Sequence, residues 1–242
     1  MKEFKVPTNK KQPVFKLVKK ILKPFYRVNE IIQEEPLPEK CIVVSNHSAK
    51  NGPFALDIYF PQKTAKWGAY WMLGNYSSRF HYLRDVFYIK KQGMKKGNAT
   101  LKSGFEAIFS PCFYKGMRIL PSYPDTRFRK TLDYSLKALD NGLSVMVFPE
   151  NSNEGYKEVL TEFFSGFVIL AEQYYKKMGE DIPIVPTYYH KKKKKIAIGK
   201  SEFVQKLKKL GMNRLQIAEH FKDRVNELFF KHIKGKDEEN KQ

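Results

Sequence analysis

His47 is the residue whose type and position in this sequence best suit chemistry. It follows the apolar run CIVVS (41–45) and precedes the turn-forming NGP (51–53). An imidazole exchanges a proton near neutral pH, and a buried strand followed by a polar loop and a helix places reactive groups at the strand's carboxyl end. A histidine alone is more often structural, but this position makes His47 a candidate general base. The other histidines lack such a setting: His81, His190, His220 and His232.

Alternating strand and helix patterns surround His47. Short apolar runs rich in β-branched residues predict buried strands, and apolar residues at helical spacing predict amphipathic helices. We expect strands at 41–45, 117–122, 143–148, 182–190 and 196–200. We expect helices at 54–60, at 126–142, at 164–179 and after Asn213, a good N-cap. This alternation predicts an α/β fold with a mixed, mostly parallel central sheet flanked by helices.

Two lysine-rich regions accompany these elements. The aromatic stretch 63–115 should be mostly core, although the lysines at 90–91 and 95–96 would also suit a lipid headgroup interface. The run KKKKK (191–195) joins two predicted strands and is expected at an exposed hairpin tip.

Charge and cysteine content limit the partners and the compartment. Lys and Arg outnumber Asp and Glu by 45 to 25, and a net charge of +20 favours a polyanionic partner, either nucleic acid or an anionic membrane. Cys41 and Cys112 form no CxxC pattern, so we expect neither a disulfide framework nor a metal site, which suits a reducing cytoplasm.

The N-terminal region predicts contact with a membrane surface. No apolar stretch approaches the length of a membrane span. In VFKLVKKILKPFYRV (14–28), apolar residues recur at helical spacing among lysines, and Pro24 should end or kink the helix. The apolar residues that define this pattern are Phe15, Val18, Leu22 and Phe25. A surface helix packed on its own domain is an equally valid interpretation of the pattern.

The chain is expected to divide into three parts. Residues 1–39 hold a Lys-rich tail, Met1–Gln12, and the amphipathic helix; residues 40–233 form the α/β domain; residues 234–242 form a second solvated tail.

Four segments resemble, in order, the motifs of the glycerophospholipid acyltransferase superfamily, above all its lysophosphatidic acid (1-acylglycerol-3-phosphate O-) acyltransferases. VVSNHSAKNGPF is similar to the first block, in which Asn-His is followed by four residues, Asp and Pro. ILPSYPDTR is similar to the second, which ends on a basic residue, and MVFPENSNEGY to the third, Phe-Pro-Glu-Gly-Thr-Arg-Ser. IPIVPTYY resembles the fourth, and together these segments span residues 40 to 200.

The resemblance implies acyl transfer from a thioester to a hydroxyl. His47 would remove the hydroxyl proton, and Glu150 would help to bind the acceptor, while Asp57 is a candidate to orient His47. Cations in or beside the blocks would bind an acceptor phosphate. The candidate binding residues are Asn46, Lys50, Arg118, Arg127, Pro149, Asn151, Ser152 and Asn153; Lys157 is more simply a solvated charge.

Two positions depart from the family pattern. Gly52 stands where the family has the Asp that orients the imidazole; Asp57, Glu150, Glu154, Asn51 or a backbone carbonyl are the possible substitutes. Asn153 stands where the family has Arg, and an amide does not replace a bidentate guanidinium. A catalytically silent relative is therefore a second hypothesis.

The expected function is that of an O-acyltransferase on the cytoplasmic face of a membrane, as a peripheral protein. Its donor would be acyl-CoA or acyl-carrier protein, its acceptor a lysophospholipid or a glycerol phosphate, and no other cofactor is expected. A lipid-binding relative without activity is the alternative. Nucleic-acid binding is a third hypothesis, which lacks a helix-turn-helix, zinc or RNP signature.

Overall fold

The β-branched runs form the strands of one central sheet. In the computed structural model, which describes residues 4–48, 51–152 and 155–234, this sheet has eight strands. The strands are β1 Glu30–Gln33, β2 Ile42–Ser45, β3 Thr64–Ala69, β4 Ile119–Ser122, β5 Ser144–Val147, β6 Pro183–His190, β7 Lys195–Ile198 and β8 Glu202–Phe203.

The strand order is β1-β7-β6-β2-β5-β3-β4, with β8 paired to β6. Strands β2 to β6 are mutually parallel, while β7 and β8 run antiparallel to β6. The predicted fold class, a mixed and mostly parallel sheet flanked by helices, is confirmed. The carboxyl ends of β2 to β6 meet at one edge of the sheet, here called the carboxyl edge, and their first residues meet at the opposite, amino edge.

The helices cover both faces of the sheet. They are α1 Pro13–Leu22, α2 Asn51–Tyr59, α3 Tyr76–His81, α4 Lys96–Gly116, α5 Phe128–Asp140, α6 Gly166–Met178, α7 Val204–Lys209 and α8 Arg214–Leu228, with π-helical segments Tyr82–Lys90 and Phe229–Lys234 and a 3-10 turn Tyr70–Leu73.

Alternation along the strands separates two helical layers. Ile42 and Val44 of β2 share a core with α5, α6 and α8, which we call the second layer. Val43 faces the other way, into a core with α2. Side chains of α1, α2 and α4 meet in a further cluster that includes Phe54 and Phe113. We call α1, α2 and α4 the first layer.

Helix ends follow local signals. α8 begins after Asn213, whose side chain accepts from two backbone N–H groups in a capping box, and α6 ends at Gly179 in the left-handed conformation that favours glycine. α2 starts at Asn51, three residues before the predicted start, because Pro53 is tolerated in a first helical turn. The strands β1, β3 and β8 and the helices α3, α4 and α7 were not predicted.

Residues 4–12 are not a solvated tail. They cross the amino edge of the sheet, where the Arg118 guanidinium donates to the carbonyls of Thr8 and Lys10. The Asn141 amide donates to the carbonyl of Pro7. Phe4 packs at 4.9 Å from the ring of Tyr134 on α5. This segment therefore belongs to the folded domain.

α1 presents two different apolar faces. Phe15 is buried against Gly116 at the end of α4, so part of the helix packs on its own domain. Phe25, predicted on the same face, lies beyond the helix end and is 75% exposed. The described part of the chain contains no helix long and apolar enough to cross a membrane.

Candidate functional site

His47 lies in the loop that leaves β2 at the carboxyl edge. Its backbone N–H donates to Oε2 of Glu150 at 3.0 Å, across 103 residues of sequence. Its ring lies 5.1 Å from the ring of Phe148, edge to face, and 5.1 Å from that of Tyr156, stacked at 27°. The backbone and the imidazole are thus both positioned by the segment that follows β5.

Glu150 fastens the two loops together. Its buried carboxylate accepts backbone N–H groups from His47 and Lys157. Burial raises the pKa of Glu150, while these two donors and the charge of Lys91 oppose the rise. The Lys157 side chain is exposed.

A cation and two hydroxyl groups complete the site. Lys91, just after the π-helical segment, donates its Nζ to Oγ of the buried Ser152 at 2.7 Å. Ser152 also hydrogen-bonds Tyr156, whose ring faces His47. Burial lowers the pKa of Lys91 and raises that of Tyr156. The Tyr156 ring therefore connects a partly buried ammonium and a hydroxyl to the imidazole, and such a set of groups can bind an anion.

Asn46 positions the loop that carries His47. Its Nδ2 donates to the Tyr189 carbonyl at 2.9 Å, and its Oδ1 accepts the Tyr189 N–H at 2.8 Å. These two bonds extend the pairing of β2 with β6 by one residue. Because both amide groups are engaged, Asn46 fixes where the chain turns toward His47.

Gly52 allows the start of α2 to approach the His47 backbone. A Cβ at position 52 would lie 2.4 Å from the His47 carbonyl oxygen and 3.2 Å from that of Asn46. Both obstacles are backbone atoms, so they cannot move aside without shifting the loop. An Asp at this position is therefore incompatible with the present loop.

Asp57, the candidate to orient His47, is bound by two lysines. One carboxylate oxygen binds Nζ of the buried Lys66 at 2.6 Å, and the other binds Nζ of Lys19 at 2.8 Å. Burial alone would raise the pKa of Asp57, but these two ammonium groups outweigh it and lower the pKa. The carboxylate is thus committed to an ion cluster that joins α1, α2 and β3.

The two arginines predicted to bind phosphate are engaged elsewhere. Arg118 precedes β4 and lies at the amino edge, opposite to His47, where it donates to residues 8 and 10. Arg127 follows β4 near the carboxyl edge, but its guanidinium binds the Asp125 carboxylate at 2.6 Å. It also stacks on Tyr70 and Tyr123. Arg118 therefore lies away from His47, and Arg127 is held by an ion pair.

The remaining predicted residues shape the loop after β5. The Pro149 carbonyl accepts the Phe164 N–H at 2.8 Å, and the Asn151 amide donates to the Glu162 carboxylate at 2.5 Å. Lys50, Asn153 and Glu154 lie outside the described residues.

His190, at the end of β6, is also near the carboxyl edge. Its Nδ1 accepts the Lys193 N–H at 3.0 Å, and its Nε2 lies 3.2 Å from the Glu158 carboxylate. Both nitrogens are used within the fold, so His190 is not a competing base.

A cavity of 580 Å³ lies at a different place, under residues 4–12 at the amino edge. Phe4, Met72 and Tyr114 are among its lining residues. His47 and Glu150 are not, so this cavity is separate from the candidate site. Among the described residues, no three His, Cys, Asp or Glu side chains converge as metal ligands would.

Comparison with solved structures finds proteins of similar backbone fold. The chain is similar to the crystal structure of the 1-acyl-sn-glycerophosphate acyltransferase PlsC from Thermotoga maritima, with 14% identity and a TM-score of 0.49 over 88% of this chain and 77% of that one. No family model matches the sequence, and no curated protein does. The chemistry of the site therefore has to follow from its own side chains.

Sequence reasoning missed Lys91 and Tyr156. Lys91 belongs to an aromatic stretch that separates it from His47 by more than forty residues. Its neighbour Ser152 was predicted, but no local pattern pairs a lysine with a serine 61 residues away. Tyr156 is the last residue of the segment MVFPENSNEGY, so its place in the third motif-like block was the signal that could have identified it.

Proposed function

We propose that this protein is an O-acyltransferase that moves a fatty acyl group from acyl-CoA or acyl-carrier protein to the hydroxyl of a lysophospholipid or glycerol phosphate. The observation that carries the proposal is the hydrogen bond between His47 and Glu150. It brings the first and third motif-like segments into one site at the carboxyl edge, where α/β proteins place reactive groups.

In the proposed reaction His47 acts as general base. The imidazole takes the proton of the acceptor hydroxyl as that oxygen attacks the thioester carbon, and an oxyanion forms. The C–S bond then breaks, and the thiolate leaves with the proton that the imidazolium returns. The product is an ester and a free thiol, so the reaction needs no oxidant or metal from the site.

We assign binding of the acceptor's phosphate to Lys91 and Ser152. Lys91 is linked to the His47 site through Ser152 and Tyr156. A partly buried ammonium attracts a phosphate more strongly than a solvated one, because less water screens it. Arg118 and Arg127, the earlier candidates, have other partners.

The proposed location is the surface of an anionic membrane, on its cytoplasmic face. Lysines 191–194 form the turn between β6 and β7, as predicted, and so lie at the same edge of the sheet as His47. Each such lysine near an anionic leaflet contributes about 1 kcal/mol. The exposed apolar residues of α1 would add to this attraction.

A silent lipid-binding relative is the second candidate, and Gly52 favours it. The family carboxylate is missing, and the loop has no room for its Cβ. Gly52→Asp is therefore not a clean test of lost activity, since the new side chain would displace the loop that carries His47.

A direct test measures transfer of a radiolabelled acyl chain to a lysolipid by the wild type, His47→Ala and His81→Ala. We expect His47→Ala to lower the rate about 10²–10⁴-fold, as loss of a general base does. His81, an exposed residue of α3, is the matched control and should keep the full rate. Equal transfer by all three proteins would contradict the proposal. Lysolipid binding without any transfer by the wild type would favour the silent relative.

A further inference from the structure

α4 is built with its large apolar residues turned to solvent. Leu101 and Phe105 are 79% and 67% exposed, and Ile108 and Phe109 continue the row at helical spacing. The buried face of the same helix carries small residues: Ala99, Ser103, Ala107 and Ser110. A helix that only packs on its domain has the opposite arrangement, so the outward row requires an apolar occupant.

We propose that the exposed row of α4 is a second membrane-docking surface, which inserts into the lipid interface beside α1. The inference rests on the proposed function only for the presence of a lipid substrate. Its occupant is a bilayer with anionic headgroups rather than a protein.

Charge supports a lipid occupant. Lys102 and Lys115 lie on the exposed part of α4, and the one acidic residue of the helix, Glu106, turns inward, where it interacts with Tyr88 and Tyr26. An apolar row bordered by lysines, without exposed carboxylates, matches the boundary between acyl chains and anionic headgroups.

α1 is a neighbour of α4 and also exposes apolar residues. Phe15 packs on Gly116, so α1 lies against the end of α4 in the first layer. On its outer side α1 exposes Val14, Leu17 and Ile21. The whole segment 4–29 contains no Asp or Glu. Two neighbouring helices with exposed apolar rows and lysines would anchor the layer in the membrane plane, whereas one short helix alone would bind weakly.

Cys112 is a natural labelling site for a fluorescent probe of this surface. Cys112 is exposed and lies four residues after Ile108, within the row, whereas Cys41 is buried and its pKa is raised to about 11 by that burial. A polarity-sensitive thiol fluorophore will therefore label Cys112 selectively.

The test adds vesicles of phosphatidylcholine with phosphatidylglycerol to the labelled full-length protein. We expect a blue shift of the Cys112 probe. We also expect L101S/F105S to lower vesicle affinity about tenfold or more, since two large apolar side chains no longer insert. The matched control, L210S/L215S, changes two residues of similar exposure, 72% and 71%, on the other side of the molecule, and should bind like the wild type.

Three results would overturn the inference. The probe could stay in water while the protein sediments with vesicles, or the L101S/F105S and control variants could bind equally. Alternatively, the wild type could be a dimer that L101S/F105S converts to a monomer, which would identify a second copy as the occupant.

Failure of the proposed acyltransferase activity can be distinguished from failure of the docking surface. Transfer to a short-chain lysolipid below its micelle concentration should be unchanged in L101S/F105S, because that acceptor needs no membrane. A blue shift without any acyl transfer by the wild type would refute the proposed activity and support the docking surface.

Discussion

The two helical layers cover opposite faces of one sheet and present different surfaces outward. The second layer contains several surface ion pairs, such as Lys177–Asp140 and Arg214–Glu172. In the first layer the Asp57 carboxylate is buried between two lysines, and the outer faces of α1 and α4 combine apolar side chains with cations.

The two layers differ in how their charged residues are paired, and both are net positive. In the second layer several acidic residues pair with basic ones, as on an ordinary solvated surface. In the described part of the first layer the lysines find few acidic partners, so they remain available to an anionic surface. The candidate site lies at the carboxyl edge, which both layers share.

The largest effect should come from Asp57→Ala. It leaves Lys66 buried without its carboxylate, and loss of one member of a buried pair costs about 3–5 kcal/mol of unfolding free energy. Asp140→Ala breaks the exposed pair with Lys177 in the second layer and should cost about 0–1 kcal/mol. Urea unfolding of both variants measures the two losses of unfolding free energy. Losses of similar size would contradict the contrast between the layers.

Gly116→Ala tests the contact between α1 and α4. The added Cβ would lie 2.1 Å from the Phe15 ring, so we expect a loss of about 1–3 kcal/mol of unfolding free energy. Gly97→Ala in the same helix meets no atom within 4 Å and should stabilise by about 0.5–1 kcal/mol. A midpoint of thermal unfolding that shifts in the same direction for both variants would contradict the contact between Phe15 and Gly116.

Leu17→Ser with Ile21→Ser tests whether the exposed row of α1 belongs to the membrane-facing side. We expect about tenfold weaker binding to phosphatidylglycerol vesicles, equivalent to ~1.4 kcal/mol, because two apolar side chains no longer insert. Far-UV circular dichroism should be unchanged, since both residues are exposed. Binding equal to the wild type in a sedimentation assay would remove α1 from this surface.

The smallest effect concerns the ion pair at the start of α5. Hydrogen bonds from Arg127 lower the pKa of Asp125 to about 2 from its ordinary 3.8. The pair therefore adds its small stability above pH 3.8 and loses it as pH falls toward 2. A carboxyl NMR titration should show this midpoint, and Arg127→Gln should return it toward 3.8. A midpoint near 3.8 in the wild type would show that Arg127 is free to bind phosphate.

Local signals account for most of the fold. The runs around Val43, Val145 and Val185 form the predicted strands, because β-branched apolar residues suit a sheet buried on both faces. Asn213 and Gly179 mark helix ends through capping chemistry that acts within a few residues. Such features can be read from a short window of sequence.

Long-range contacts account for what could not be predicted. Arg118 directly precedes the second motif-like segment, ILPSYPDTR. Because it comes before strand β4 rather than after it, it lies at the amino edge, opposite to His47. Lys66 on β3 forms an ion pair with Asp57 on α2. The close approach of Gly52 to the His47 carbonyl depends on how the loop folds. Of the predicted site, His47, Glu150 and Ser152 come together, and Lys91 joins them from a distant segment.

The most direct test of the central claim is the pH dependence of kcat/KM for acyl transfer by the wild type and by His47→Gln. If His47 is the base, the wild-type rate should rise with pH along a limb of unit slope as the imidazole loses its proton. The residual rate of His47→Gln should lack that limb. The same rising limb in both proteins would show that another group removes the hydroxyl proton.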